Sequence, residues 1–299
     1  WSVLSGDHYR GLDYMLNKSF KIRPLSDTLG AEIYDVKLSG EMASEDLAQI
    51  KALWNRYGIL LFREQDIGKD ELVGFSRLLG SLETHVRSEW LNETHPEILQ
   101  ISNINVDGKP VGALADGEVG WHYDQIYLPR PALGSLLYSV KIPPDGGSTF
   151  FADMTSAYER LPRALKDMVD GQQAIQSYDN FNSMYSTKTS GKQTNLTPNI
   201  AQPLVRTHPV TGRKALYLCP GMTIAIAGID ETESADLLEQ LFDWTLKKEF
   251  VYKHEWHVGD GLLWDNACTM HRREPFDGGY ERLMYRTTIL PPNDRSVPF

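Results

Sequence analysis

The sequence predicts a mostly β fold with flanking helices, built on a double-stranded β-helix (jelly roll) core. The middle and the end of the chain hold many short apolar segments separated by Gly-containing turns, as in jelly rolls. Helical periodicity is confined to a few stretches, and no internal repeat occurs. With 299 residues, of which 41% are hydrophobic, the chain can bury a large core. We therefore expect a single domain spanning residues 1–299.

The N-terminal part is predicted to alternate short strands with two amphipathic helices. The expected elements are a polar arm (1–19), two strands within 20–38, a helix capped by Ser44 and ended by Gly58, a buried strand (59–62) and a second helix from about Asp70 to Gly80. Both helices carry apolar residues three or four positions apart, which predicts that one face of each packs on the core.

The rest of the chain is predicted to be rich in strands. They are expected at 98–104, 121–128, 132–140, 149–152, 250–256, 261–264 and 282–290. Short helices are expected at 156–161 and 162–169, and Asp230 is expected to start a longer one. Residues 171–203 are rich in Gln, Asn, Ser, Thr and Tyr and too long for an ordinary connection, so we expect a functional loop or lid.

Composition limits the class of partner. The chain carries 30 Lys and Arg against 40 Asp and Glu, a net charge of −10, so a nucleic-acid backbone binder is excluded. No run approaches 18 consecutive apolar residues, so no membrane partner is expected. The two cysteines, Cys219 and Cys268, exclude a disulfide framework and favour a cytoplasmic protein. A small anionic substrate stays compatible, because it needs only one or two local arginines.

The sharpest local feature is the pair His122-x-Asp124. Residues two apart on a strand face the same way, so an imidazole and a carboxylate here can converge on one metal ion. A catalytic ion needs a third ligand, and the chain has eight histidines. Two histidines and one carboxylate form a facial triad, a ligand set suited to non-haem Fe(II) and oxygen. Taken alone, such a pair is more often a hydrogen-bonded pair without metal.

Four segments, in this order, resemble the taurine dioxygenase family. They are WHYDQIY (121–127), GGSTFF (146–151), LLWDNACTMHRRE (262–274) and ERLMYRTTI (281–289). The resemblance implies a non-haem dioxygenase that uses Fe(II), 2-oxoglutarate and O2, hydroxylates a small anionic organic substrate and releases succinate and CO2. WDNACTMHR is most similar to the aryloxyalkanoate branch, among possible carboxylate, sulfonate and sulfate ester substrates.

The resemblance also implies roles for residues by position. The implied iron ligands are His122, Asp124 and His271, and the implied 2-oxoglutarate contacts are Thr149, Arg282 and Arg286. Arginine is a permanently charged planar donor that suits a carboxylate. Because residues 282 and 286 share a face of a strand, both guanidinium groups can enter one pocket. No catalytic residue beyond the metal centre is implied.

Substrate contacts are implied at less specific positions, which are His85, Gln125, Tyr127, Phe181, Tyr185 and Arg286. Gln125 would offer its backbone N–H, and the aromatic residues would line the substrate pocket. A surface loop at His85 and ordinary lid packing at Phe181 and Tyr185 are the competing interpretations. Trp264, Asp265 and Asn266 are interpreted as support for the metal site.

Other functions stay open from the sequence. The same chemistry could give desaturation or rearrangement in natural-product biosynthesis. The three ligands could hold zinc in a hydrolase, but the arginine anchor would then have no purpose. A non-catalytic jelly-roll binding protein would keep the fold without the reaction. A homo-oligomer, a dimer or a tetramer, is expected.

Overall fold

A computed structural model describes residues 20–84, 91–92, 94–183 and 198–292. In these ranges the chain forms a jelly roll of two sheets that enclose a cavity, with helices packed outside. The predicted fold class is confirmed.

The strands and helices have the following bounds. The strands are β1 (Ile22–Pro24), β2 (Ala31–Ile33), β3 (Ile59–Phe62), β4 (Leu91–Asn92), β5 (His95–Ser102), β6 (Asn105–Val106), β7 (Lys109–Pro110), β8 (Val119–His122), β9 (Gly134–Lys141), β10 (Thr149–Asp153), β11 (Gln173–Gln176), β12 (Ile200–Pro203), β13 (Val205–Thr207), β14 (Lys214–Leu216), β15 (Thr223–Ile226), β16 (Val251–His254), β17 (Gly261–Asp265), β18 (Thr269–Arg273) and β19 (Leu283–Ile289). The helices are α1 (Ser44–Tyr57), α2 (Lys69–Leu79), α3 (Met154–Glu159), α4 (Arg163–Val169), α5 (Tyr178–Ser183) and α6 (Glu231–Thr245), and a 3-10 turn at Lys248–Phe250 leads into β16.

The two principal sheets bring distant parts of the sequence together. The larger sheet has eight strands in the order β1-β2-β3-β17-β9-β19-β5-β4. The smaller sheet has four antiparallel strands in the order β16-β10-β18-β8. Strands β17, β18 and β19 come from the end of the chain but pair with strands from its first half. These pairings place the C-terminal motifs beside the His122 segment.

The strand β3 shows how the core is layered. All four of its side chains are buried, although strand side chains point alternately to opposite faces. Leu60 and Phe62 pack with the buried faces of α1 and α2, whereas Ile59 and Leu61 pack with residues of the cavity side. The larger sheet is therefore covered on both faces, by helices outside and by the smaller sheet inside. Among the described residues, no helix is both long and apolar enough to cross a bilayer.

Two predicted details of α1 can be compared with the structure. Ser44 is the first residue of the helix and not its cap, because Ala43 holds the N-cap position without a side-chain hydrogen bond. The prediction that Gly58 ends the helix is confirmed. Its backbone is left-handed (φ +68°), and a Cβ here would lie 3.2 Å from the Cys268 sulfur.

The segment 171–203 contains more regular structure than a loop. β11, α5 and β12 lie in its described parts, and β11 pairs with both β12 and β15. Ala174 and Gln176 of β11 are fully buried, so the start of the segment is anchored in a small sheet of its own. Residues 184–197 lie outside the described residues.

Candidate active site

The pairing of β8 with β18 brings two of the three predicted iron ligands together. His122 and His271 are direct cross-strand neighbours, and their ring centroids are 4.1 Å apart. The carboxylate oxygen Oδ1 of Asp124 lies 4.0 Å from the Nε2 atom of each histidine. All three side chains are buried, and one ligand atom from each lies within 4.8 Å of the others. Since metal–nitrogen and metal–oxygen bonds are about 2.0–2.2 Å long, one ion can bridge atoms at these separations.

Asp124 reaches the cluster by a different route from the predicted one. The expected strand 121–128 is wrong in its second half, since β8 ends at His122 and residues 124–127 form a turn. Gln125 has a left-handed backbone (φ +61°), and the Leu128 N–H donates to its carbonyl. The carboxylate therefore meets the histidines because the chain turns there, not because strand side chains alternate.

Three neighbours hold Asp124 in place. The Ser135 hydroxyl donates to Oδ2 at 2.8 Å, and the Arg286 guanidinium donates to Oδ1 at 3.0 Å. The Asn266 amide donates to the Asp124 backbone carbonyl at 3.1 Å. Burial alone would favour the neutral acid, but Arg286 and the two histidines hold the pKa of Asp124 well below its ordinary value. The carboxylate is therefore charged and ready to bind a cation at neutral pH.

Both histidines are prepared as neutral ligands. Nδ1 of His122 lies 2.7 Å from the Gly120 carbonyl, which can only accept, so this nitrogen carries the proton and Nε2 keeps its lone pair. Burial lowers the pKa of His122, and burial together with the neighbouring His122 lowers that of His271 well below the usual range. Two neutral imidazoles and one carboxylate are the donor set of an Fe(II) facial triad, so the residues present fit this metal.

The cavity between the sheets extends from these ligands to a second polar end. Its apolar walls include Ile101, Val119, Leu137 and Trp264, and its polar residues are His122, His271, Thr149, Arg273, Arg282 and Arg286. Three arginines therefore line one cavity. Of these three arginines, Arg286 is the one that forms an ion pair with Asp124 in the described structure.

Arg282 is the most unusual of these arginines. It is 2% exposed and lies one residue before β19. Its backbone is fixed, because its N–H donates to the Asn103 side chain and its carbonyl accepts from Ser102. Within the described ranges, its guanidinium has no carboxylate partner and its Nε has no acceptor. Burial, and then the charge of Arg273, lower its pKa to about 9. Such a buried cation is suited to an anionic ligand.

Arg273 is a site residue that the sequence analysis missed. It follows His271 by two positions on β18, so strand alternation places both on the same face, and this signal could have found it. Its guanidinium donates to the Leu114 carbonyl at 2.7 Å and also to the Gly117 carbonyl. Leu114 itself lines the cavity and has a left-handed backbone (φ +55°). Arg273 therefore fixes the 114–117 loop at the edge of the cavity.

Two residues of the Trp264-Asp265-Asn266 motif, Trp264 and Asn266, contact the predicted metal ligands, whereas Asp265 contacts His208. The Trp264 ring lies 4.8 Å from that of His271, and Asn266 holds the Asp124 backbone. The Asp265 carboxylate lies 2.8 Å from Nε2 of His208.

His208, Asp265 and Cys268 form a second buried cluster with metal-like spacing. Nδ1 of His208 accepts the N–H groups of Val210 and Thr211, so Nε2 carries the proton and donates to Asp265. The imidazole has no lone pair left for a metal. Burial raises the pKa of the Cys268 thiol well above its ordinary value, so the cysteine is a core residue, as expected.

Some of the predicted substrate residues lie near the metal ligands, and two of them fall outside the described ranges. The Phe181 ring lies 5.4 Å from that of His122, next to the metal ligands. Tyr127 packs against Tyr178 with 4.6 Å between ring centroids, and Gln125 lies in the turn beside Asp124. His85 and Tyr185 lie outside the described residues.

Comparisons with known proteins agree with this geometry. Residues 21–288 match the family described as taurine catabolism dioxygenase TauD, TfdA family. An alpha-ketoglutarate-dependent 2,4-dichlorophenoxyacetate dioxygenase of Cupriavidus pinatubonensis is 34% identical, over 89% of this chain and 96% of the relative. An (S)-phenoxypropionate/alpha-ketoglutarate-dioxygenase of Sphingobium herbicidovorans is 33% identical, over 92% and 96%.

A relative whose name gives a different activity and a solved structure are also similar to this chain. A pentalenolactone F synthase of Streptomyces avermitilis is 30% identical, over 88% of this chain and 91% of the relative. The crystal structure of a putative alpha-ketoglutarate-dependent taurine dioxygenase from Burkholderia xenovorans matches with a TM-score of 0.78 and 32% identity, over 92% and 93% of the chains. The predicted family and the predicted cofactors Fe(II), 2-oxoglutarate and O2 are confirmed. This chain therefore belongs to the TauD, TfdA family and is an Fe(II)- and 2-oxoglutarate-dependent dioxygenase.

Proposed function

We propose that the enzyme hydroxylates a small aryloxyalkanoate-like acid, with the two ends of its cavity binding the metal and the co-substrate. His122, Asp124 and His271 would hold Fe(II). Thr149 and Arg282 would bind the distal carboxylate of 2-oxoglutarate. Arg286 would contact the co-substrate and the substrate anion from the metal end. When bound together, Fe(II), 2-oxoglutarate and O2 supply the oxidation that puts one oxygen atom into a substrate C–H bond and releases succinate and CO2.

One observation carries this proposal. The two histidines of a three-ligand cluster suited to a cation line the same cavity as a buried arginine that has no carboxylate partner among the described residues. A molecule with an oxygen chelate at one end and a carboxylate at the other satisfies both ends at once, and 2-oxoglutarate has this shape. A zinc hydrolase would use the cluster but would leave Arg282 without a function.

The protein's own part in the reaction is to position the co-substrate and the substrate, and to exclude water from the reacting end. Arg282 and Thr149 would fix the length and direction of the co-substrate, and the apolar walls would keep the reacting end dry. Phe181, beside His122, supports an aromatic substrate body next to the metal. Gln125, Tyr127, His85 and Tyr185 are proposed as further substrate contacts.

The names of the relatives support an aryloxy acid as the substrate. Two relatives act on 2,4-dichlorophenoxyacetate and (S)-phenoxypropionate, according to their names. Hydroxylation of the carbon between the ether oxygen and the carboxyl group forms a hemiacetal, which breaks its C–O bond to give a phenol and a 2-oxo acid. The added oxygen stays in the 2-oxo acid, and the phenol takes the hydroxyl proton.

The test is a substrate panel with Fe(II), ascorbate and 2-oxoglutarate. Phenoxyacetate and phenoxypropionate should give succinate and phenol in equal amounts, whereas the neutral 2-phenoxyethanol should not stimulate succinate release. 3-Phenylpropionate, in which carbon replaces the ether oxygen, should be hydroxylated without cleavage. His122→Ala provides the inactive control. Equal stimulation by the alcohol would reject an anionic substrate, and no stimulation by any acid would reject the proposed class.

A second outcome has independent support. Because a pentalenolactone F synthase is among the relatives, the same machinery could carry out desaturation or rearrangement. Product mass separates these cases, since hydroxylation adds one oxygen and desaturation removes two hydrogens.

We also propose that the chain is a single domain in which residues 171–203 cover the substrate, and that it assembles into a dimer or a tetramer. The position of Phe181, within this segment and beside His122, supports the first proposal. Faster proteolysis within 171–203 in the absence of ligands would test it, and light scattering after gel filtration would measure the assembly.

A further inference from the structure

The Trp256 indole forms a buried hydrogen bond that the proposed roles do not use. Trp256 lies two residues beyond the end of β16 and is 7% exposed. Its Nε1 atom is 2.9 Å from the Thr149 hydroxyl oxygen. Thr149 is 4% exposed and lines the same cavity as Arg282. The contact therefore joins a core tryptophan directly to Thr149, which is proposed to bind the co-substrate.

The chemistry of the two groups fixes the direction of this bond. An indole N–H can only donate, so the Thr149 oxygen must accept from it. The one proton of the threonine hydroxyl is then free to donate to another group. In the described part of the chain, no acceptor for it is found. Arg273 lies directly opposite Thr149 on β18, and an arginine side chain offers only donors. The hydroxyl proton is thus available to a ligand in the cavity.

A buried network fixes the orientation of the indole. The His254 ring packs edge-on against Trp256, with 4.5 Å between centroids and an angle of 89° between planes. His254 is fully buried, with the Tyr252 hydroxyl 3.1 Å from its Nδ1 and the Asp260 carboxylate 3.2 Å from its Nε2. Asp260 is in turn paired with Arg63 at 2.7 Å. The indole is thereby held in one orientation before any ligand binds.

We propose that Trp256 is a positioning residue that makes the Thr149 hydroxyl a dedicated hydrogen-bond donor to the distal carboxylate of the co-substrate. This inference rests on the proposed function of Thr149. Without the indole, the hydroxyl could rotate and present its oxygen to the carboxylate, which would repel it. With the indole, Thr149 and Arg282 present only donors to the anion.

The test measures the binding of N-oxalylglycine, an unreactive analogue of 2-oxoglutarate, to the Mn(II)-loaded protein by calorimetry. Trp256→Phe keeps the ring and removes the N–H. It should weaken binding about three- to tenfold, the value of one neutral hydrogen bond. The affinity for Mn(II) alone and the kcat at saturating 2-oxoglutarate should not change. Trp244→Phe is the matched control, because it removes an indole bond of the same 2.9 Å length to the Ala157 carbonyl, away from the cavity.

A double-mutant cycle separates positioning from simple packing. Thr149→Val should weaken binding at least as much as Trp256→Phe, and adding Trp256→Phe to Thr149→Val should cause no further loss. Thr149→Ser should retain the sensitivity to Trp256→Phe. Additive losses, or equal losses in Trp256→Phe and Trp244→Phe, would overturn the proposal.

A second variant and the wild-type binding itself distinguish failure of this inference from failure of the proposed function. If Trp256→Phe does not fold, benzothienylalanine at position 256 replaces the N–H with sulfur and keeps the bicyclic ring, and the same three- to tenfold loss is expected. If the wild-type protein itself does not bind N-oxalylglycine, the proposed function fails. If it binds but Thr149→Val binds equally well, only the inference about Trp256 and Thr149 fails.

Discussion

The two ends of the cavity differ in how their charges are compensated. At the metal end, Asp124 receives hydrogen bonds from Ser135 and Arg286, and its charge faces two neutral imidazoles. At the opposite end, Arg282 is buried next to a second cation, Arg273, without a carboxylate partner among the described residues.

The metal end is organised by the protein itself, whereas the arginine end depends on a bound ligand to balance its charge. At the metal end, Asp124 and His122 are held by hydrogen bonds within the protein that do not need a metal. At the arginine end, Arg282 is a buried charge with no carboxylate partner in the described part of the chain, which costs folding free energy until an anion binds. We therefore expect variants of the metal end to lose activity. Variants of Arg282 should bind 2-oxoglutarate more weakly, while the ligand-free protein becomes more stable.

The largest effect is expected for the metal ligands. His271→Ala should reduce 2-oxoglutarate turnover to the background level, because two ligands do not hold a catalytic ion. Succinate release with the best substrate of the panel measures this. His95→Ala, which changes a histidine paired with Asp70 near the surface, is the control and should be fully active. Substantial turnover in His271→Ala would contradict the assignment of the triad.

The next effect concerns Arg282. Arg282→Met should raise the Kd for 2-oxoglutarate about thirtyfold or more, because it leaves the carboxylate without its buried charged partner. The same variant should make the ligand-free protein more stable to urea, since a costly buried charge is removed.

Arg286→Met is the matched control at the metal end. It leaves Asp124 without its charged partner, so the ligand-free protein should become less stable instead. Stability changes of the same sign in both variants would remove the contrast between the two ends.

A smaller effect is expected for the residue that orients the carboxylate. Ser135→Ala should weaken Mn(II) binding about tenfold, as is usual when a hydrogen bond to a metal ligand is lost. Ser139→Ala changes another fully buried serine of β9, whose hydroxyl contacts His257 and Asp260 instead, and should leave the metal affinity unchanged. Calorimetric titration of both variants with Mn(II) compares them, and equal affinities would show that the metal end is not preorganised by Ser135.

The smallest effect is the pH dependence of the metal-free protein. The pKa of His271 is lowered in the folded state, so below the ordinary value near 6.5 the unfolded chain binds a proton that the folded chain does not. The free energy of unfolding should therefore decrease as the pH drops below 6.5, and it should be recovered when the sample is brought back to pH 8. Urea titrations should give a slope up to about 1.4 kcal/mol per pH unit steeper for wild type than for His271→Gln. Parallel slopes would mean that His271 titrates normally.

Much of the fold could be predicted because its signals are local. The buried run at β3, the strand β9 and the helix that starts after Asp230 are encoded by neighbouring residues, and the structure agrees with them. The strand predicted over 121–128 is wrong in its second half because Gln125, a turn residue with a left-handed backbone, carries no Gly or Pro signal. Arg273 was missed because its importance depends on the distant carbonyls of Leu114 and Gly117.

The sequence by itself determined the residue types of the site and, through its resemblance to a family, the reaction class. Only the tertiary structure decided which groups meet. The register of β8 with β18 pairs His122 with His271, and the enclosure of Arg282 leaves a cation that needs an anion. The contact of Trp256 with Thr149 joins residues from two strands of the smaller sheet and their flanks. Which strands become neighbours depends on how distant segments of the chain pack together, so the local pattern of residues can predict a buried strand but cannot name its cross-strand partner.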